Sequence, residues 1–320
     1  MAERADWDLG LESANQFEGS KFSIIVNHIM KRAMLFMILF MICITLFCAG
    51  CLEQKDSVGG DGPQATGKGA AEKVIITGSS TVLPLVEASA EAFNARQNVC
   101  QVAVTGGGTG AGITAIAGGR SHVAMASREV TADEMMKYGD KFQQFDIGYD
   151  GVVVVVSKAI HDAGIKGLTT EQARKIYAGE IKNWKELRGP DAGIYVIGRE
   201  QGSGTRDTFN EAIMGDTKAE TAGVATTATG SSEVKTAIMG SDSAIGYLGF
   251  SYMQGSKIAA IAIDGVMPGM QSIKDGSYKL QRHLYLYTLG ESASCAKAFI
   301  DFVISADGQK IAEENGFIPI

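Results

Sequence analysis

Three short clusters of glycine and hydroxyl residues carry most of the chemical potential of this sequence. Thr77-Gly78-Ser79-Ser80-Thr81 is the first, Thr105 to Gly112 the second, and Gly202-Ser203-Gly204-Thr205, close behind Arg199, the third. Each follows an apolar, β-prone run and leads into a segment with helical spacing. At such a turn the first N–H groups of the helix lack intrahelical acceptors and the helix dipole is positive. Ser and Thr add hydroxyl donors there, and glycine lets the backbone approach a ligand. A single cluster of this kind is ordinarily an N-cap or a turn. Three of them gathered at the C-terminal edge of parallel strands would make a shell of donors around a small anion. Arg128, Arg199 and Arg206 lie near these clusters and bring positive charge in a fork suited to an oxyanion.

The elements that must position the clusters are legible as alternating runs. Strands are expected at Val74–Thr77, Gln101–Thr105, Val123–Ala126, Val152–Ser157, Ile194–Gly198, Ala244–Tyr247, Ile258–Ile263 and His283–Thr288. Val82, Val86 and Phe93 recur at near-helical spacing between them, as do Phe209 with Ile213 and Phe299 with Phe302 and Val303. The pattern is α/β with short connections. Val152 to Val156 has no polar alternation and reads as a strand buried on both faces, at a crossover from a first lobe to a second. The first lobe is expected to hold residues 73–150 and 248–320, and the second residues 151–247.

Compartment follows from the N-terminal region. Lys31 and Arg32 precede an apolar run from Ala33 to Phe47, which meets Cys48-Ala49-Gly50-Cys51. A basic flank, a short apolar core and small residues before a cysteine read as a signal peptide over 30–50, similar to a bacterial lipobox with Cys51 lipidated. Cys48 stands where Leu is usual, and an uncleaved single-span anchor is the competing reading. Both place the bulk of the chain outside the cytoplasmic membrane. Residues 1–29 read as an upstream extension from a start assigned ahead of Met30. Leu52 to Ala71, rich in Gly, Asp, Ser and Lys, reads as a flexible tether spanning about 25 Å.

Of five cysteines, Cys100 and Cys295 then remain in the mature domain, where an oxidising compartment allows either one disulfide or two buried thiols. No Cys/His cluster suggests a metal, and no cofactor is expected. The 320-residue chain carries 29 Lys and Arg against 36 Asp and Glu, a net charge of −7, so a polyanion meets repulsion and nucleic acid is not an expected partner. A small anion is compatible with that charge, because local oriented donors set the potential in a cleft. Gly106 to Ala111 fits a relaxed dinucleotide fingerprint, but that cofactor is scarce outside the membrane. No P-loop is present. Ser203 lacks the G-x-S-x-G elbow, so an extracellular phosphoester hydrolase, with His161 or His283 serving Ser203, is the competing class.

Further stretches complete a resemblance: Ala126-Ser127-Arg128, Tyr149-Asp150-Gly151, Ile176 to Trp184, Arg199 to Thr205, Ala244-Ile245-Gly246-Tyr247 and Leu284 to Thr288. Over nearly all of 73–320 the chain resembles the phosphate-binding proteins of ABC-type phosphate importers, with a two-lobed type II periplasmic-binding-protein fold in which each lobe is a mostly parallel sheet flanked by helices. The resemblance implies a monomeric, non-enzymatic receptor that closes on inorganic phosphate and delivers it to an ABC permease. It implies ligand contacts from Ser80, Thr81, Thr109, Ser127, Arg199, Ser203, Gly204 and Thr205. Some members carry Asp where this chain has Arg128 and Gln201. Arg128 is therefore expected to touch the ligand, and Asp150 to accept its proton or to serve as a hinge carboxylate. A receptor for sulfate, molybdate or tungstate is the nearest alternative. Tyr177 and Trp184 are expected to pack, since a tetrahedral oxyanion offers no face for stacking.

Overall fold

The computed structural model describes residues 71–253 and 258–320. The signal peptide, Cys51 and nearly all of the tether lie outside them. Among the described residues no helix is long and apolar enough to cross a membrane.

The chain begins with β1 (Glu72–Gly78), α1 (Leu83–Arg96), β2 (Cys100–Gly106), α2 (Thr109–Ala117) and β3 (Val123–Ala126). A capping box of Thr131 and Glu134 starts α3 (Ala132–Tyr138). The 15-residue β4 (Phe142–Val156) follows, then α4 (Lys158–Asp162), β5 (Gly167–Leu168) and α5 (Thr170–Ala178). Next come β6 (Tyr195–Arg199), α6 (Gly204–Phe209), β7 (Thr226–Ala228), α7 (Ser231–Met239) and β8 (Ala244–Gly249). Short β9 (Ala259–Ala260), β10 (Ala262–Ile263) and α8 (Met270–Lys274) lead to β11 (Gln281–Leu289), α9 (Ser294–Ile304) and α10 (Ala306–Glu314).

The strands order as β2-β1-β3-β11-β4-β8-β6-β7, with β9 beside β4. Pairing is parallel at both ends, β1 with β2 and β3, and β6 with β7 and β8. The middle departs from a mostly parallel sheet: β11 runs antiparallel to β3 and β4, and β4 antiparallel to β8. One strand serves both halves. Phe142 to Gly151 pairs with β11, and Val152 to Val156 pairs with β8.

The valine run is buried on both faces, as its lack of alternation implies. Val152, Val154 and Val156 pack with Tyr177, Trp184, Phe209 and Tyr247, while Val153 and Val155 face Ile197, Val234, Ile238 and Leu248. Tyr177 and Trp184 are fully buried, and the Trp184 indole N–H donates to the Ser243 carbonyl. A separate cluster of Val74, Ile76, Leu85, Phe93, Met125, Leu286, Phe299 and Ile300 forms the core under β1 to β3. Each such side chain stabilises the fold by about 1.5–3 kcal/mol through removal from water.

Ile261, Ile263, Ile273, Tyr278 and Leu280 pack in the cluster of Val152 and Val154, and the chain rejoins the first core with β11. Cys100, opening β2, and Cys295, in the first turn of α9, are joined as a disulfide with their Cα atoms 5.6 Å apart.

Candidate functional site

The three Gly/Ser/Thr clusters are the loops after β1, β2 and β6, and they meet. The Gly107 and Gly108 N–H groups donate to the Gly78 carbonyl, tying the first loop to the second, and the Gly110 N–H donates to the Gly202 carbonyl at 2.9 Å, tying the second to the third. Side chains close the same contacts. Thr81 Oγ1 and Thr205 Oγ1 are 2.7 Å apart, Ser79 Oγ donates to Ser127 Oγ at 3.0 Å, and Thr109 Oγ1 accepts from the Ser127 N–H at 3.2 Å. Ser79, Thr81, Thr109, Ser127, Ser203 and Thr205 are all buried.

Gly204 explains how the third loop comes so near. It occupies the first helical position of α6, and a Cβ there would lie 2.6 Å from Ser127 Oγ and 2.8 Å from Thr109 Oγ1. Only glycine fits against these hydroxyls. Ser203 Oγ accepts from the Arg206 N–H and so caps α6.

Two buried arginines supply the charge. Arg199, at the end of β6 and 3% exposed, sends Nη2 to Ser80 Oγ at 3.1 Å and Nη1 to Ser231 Oγ at 3.4 Å. Its Nε and Nη2 edge is held by the Glu200 carboxylate at 2.8 and 2.9 Å, and its backbone N–H donates to the Tyr247 hydroxyl. Ser80 is fixed on its other side by the Tyr252 hydroxyl, which donates to the Ser80 carbonyl at 2.6 Å. Burial pushes the Tyr252 phenol up to about 12, so it remains a neutral donor.

Arg282 is the second. It reaches Thr205 Oγ1 with Nη1 at 3.0 Å, Thr81 Oγ1 with Nη2 at 3.3 Å, and Asp150 Oδ2 with Nη2 at 2.7 Å. Arg282 and Asp150 are cross-strand partners in the β11–β4 ladder, and the other Asp150 oxygen accepts from the Phe250 N–H. Burial pushes the Asp150 carboxyl above its usual range, and the Arg282 guanidinium offsets only part of that push.

Two expected ligand contacts are placed otherwise. Arg128 donates from Nε to Asp207 and from Nη1 and Nη2 to the two Glu134 oxygens, so its guanidinium is taken up by carboxylates instead of facing the hydroxyls. Asp150 is bonded to Arg282 and a backbone N–H, and it reaches the hydroxyls only through the arginine. Ser80, Thr81, Thr109, Ser127, Arg199, Ser203, Gly204 and Thr205 are brought together. Glu200, Ser231, Tyr252 and Arg282 were not anticipated. A signal for Arg282 was present: a lone cation in an apolar strand needs a buried carboxylate, and Asp150 at the head of the valine run is its counterpart.

Among the described residues no serine hydrolase arrangement is formed at Ser203. His283 Nδ1 pairs with Asp146 at 2.6 Å, His161 Nδ1 lies 2.9 Å from Lys166 Nζ, and Ser203 Oγ is a helix cap.

Residues 63–307 match the PBP superfamily domain. The chain is 35% identical over 295 residues to the phosphate-binding protein PstS of Bacillus subtilis strain 168, covering 91% of this chain and 95% of that one. Among solved structures it is similar to a Clostridium perfringens protein with bound phosphate, at 35% identity and a TM-score of 0.72, covering 78% of this chain and all of that one. An ABC-type phosphate transport receptor from Vibrio cholerae gives 31% identity and a TM-score of 0.62, over 77% of this chain and all of the receptor. The extent and identity of these matches, together with the meeting of the three loops, place the chain in the PBP superfamily and, within it, among the PstS-type phosphate-binding proteins.

Proposed function

We propose that this protein is an extracytoplasmic receptor that binds inorganic phosphate among the three loops and delivers it, without chemistry, to an ABC permease. The observation that carries the reading is the convergence of Ser80, Thr81, Thr109, Ser127, Ser203 and Thr205 with a buried Arg199. A tetrahedral oxyanion needs many short-range donors around it, and hydroxyls, backbone N–H groups and one guanidinium supply them at little cost in net charge. In this reading the lobes are residues 73–150 with 281–320, and 151–280, and they close over the ligand as a hinged pair. The contacts between Thr81 and Thr205, Gly110 and Gly202, Arg199 and Ser80, and Arg128 and Asp207 are then the contacts of closure. The protein acts as a monomer held at the outer face of the cytoplasmic membrane by a lipid on Cys51.

Calorimetric titration with phosphate, sulfate, molybdate and a phosphoester tests the ligand. Phosphate is expected to bind at least about 100-fold more tightly than the others, as a receptor that reads the ligand's protons must. Equal or tighter binding of sulfate overturns phosphate as the cargo, and turnover of the phosphoester overturns the receptor class. Cys51→Ser is expected to release the protein from membranes, and a mature chain whose intact mass still includes residues 1–50 rejects the anchor.

A further inference from the structure

A fully buried ion pair lies directly against two of the hydroxyls. The side chains of Arg282 and Asp150 are 5% and 0% exposed and 2.7 Å apart. Such a pair is seldom retained for stability, because apolar side chains of similar volume serve as well or better. The remaining bonds of Arg282 indicate a use. Nη1 donates to Thr205 Oγ1, Nη2 donates to Thr81 Oγ1, and the two hydroxyl oxygens are 2.7 Å apart.

Guanidinium has donors only, so it can take neither hydroxyl proton. The two threonines have two protons between them. One lies on the line joining the oxygens, and the other must be offered to an acceptor outside the trio.

We propose that Arg282, oriented by Asp150, is a positioning residue that polarises the Thr81–Thr205 pair so that it presents an O–H to an unprotonated oxygen of the bound oxyanion. This rests on the phosphate-receptor reading and assigns the inner wall of that site. Without the arginine either hydroxyl can turn to accept, and the ligand oxygen then meets a lone pair in part of the population. Any oxyanion with a deprotonated oxygen satisfies this point, so discrimination between phosphate and sulfate resides elsewhere in the shell.

Phosphate titrations on a set of variants test the proposal. Arg282→Met with Asp150→Asn removes both charges together and is expected to weaken phosphate binding by about 10- to 100-fold, the effect of one charge-assisted hydrogen bond. In a Thr81→Val, Thr205→Val background, the Arg282 and Asp150 replacements are expected to cost no more than about twofold further, because the groups through which they act are gone. Should the neutral pair fail to fold, Arg282→Lys takes its place, since a single nitrogen cannot stand at the positions of both Nη1 and Nη2, and this variant is expected to lose part of the affinity. Unchanged binding in the neutral pair, or in Arg282→Lys where that stands in, overturns the proposal. So does a full loss that persists in the valine background, which would make Arg282 a distant charge. A wild-type protein that binds no oxyanion overturns the functional reading as well, and that outcome is distinct from either.

Discussion

Replacing Gly204 by alanine separates what the fold needs from what the site needs. The added Cβ would stand 2.6 Å from Ser127 Oγ, 2.8 Å from Thr109 Oγ1 and 3.1 Å from Arg128 Cγ. The first two are below any tolerable contact, and Ser127 directly follows β3 and Thr109 opens α2 while Gly204 opens α6, so the strain falls on the approach of one loop to another. Overpacking of this kind costs about 1–3 kcal/mol. Within α6 itself alanine is the better helix former by up to about 1 kcal/mol. The loops can part to relieve the clash, so the ligand-free protein is expected to melt within about 3 °C of wild type, the two local effects largely offsetting. Phosphate binding requires the loops together and bears the whole cost, a loss of about 5- to 150-fold in affinity. Calorimetric titration gives the affinity, and thermal melts with and without phosphate show whether the ligand still raises the midpoint. Gly107→Ala is the control, because its Cβ would meet only Ala111 Cβ at 3.8 Å. Phosphate affinity within twofold of wild type in Gly204→Ala would refute the reasoning, since the hydroxyls would then not be gathered around a ligand.

Three other expectations follow from the same contacts. Arg199→Ala is expected to cost at least about 2 kcal/mol of phosphate affinity, as charge-assisted bonds in a buried site are lost; exposed Arg96, paired with Asp307, is the control, and equal small losses from both would make Arg199 structural. Thiol titration of denatured, unreduced chain lacking residues 1–51 should find no free thiol, and reduction should destabilise the fold by about 2–5 kcal/mol; two free thiols reject the Cys100–Cys295 bond. Lys279 and the Thr170 N–H and hydroxyl hold the Asp264 carboxyl down, from an ordinary 3.8 to about 2, so its contribution is present above pH 3.8 and lost as pH falls through about 2. Asp264→Asn, which tolerates the local φ of 50°, should flatten the fall of melting temperature over that range, and identical slopes would show that the carboxylate contributes nothing there.

The sequence alone determined the donors. Gly78 to Thr81, Gly106 to Thr109 and Gly202 to Thr205 were legible because a strand-to-helix turn is local chemistry: orphan N–H groups, hydroxyls and missing Cβ atoms sit within a few residues of one another. The double burial of Val152 to Val156 was legible for the same reason, since the absence of alternation is a property of consecutive residues. Tertiary structure decided the charges. Arg128 follows Ser127 in the chain and invited a ligand role, yet Glu134 and Asp207 claim its guanidinium, the second from 79 residues away. Arg282 stands 201 residues beyond Thr81 and reaches it only because β11 inserts between β3 and β4 in antiparallel register opposite Asp150. A long side chain in a poorly screened interior is fixed by whichever opposite charge the fold brings within about 3 Å, and strand insertion of that kind leaves no mark in neighbouring residues.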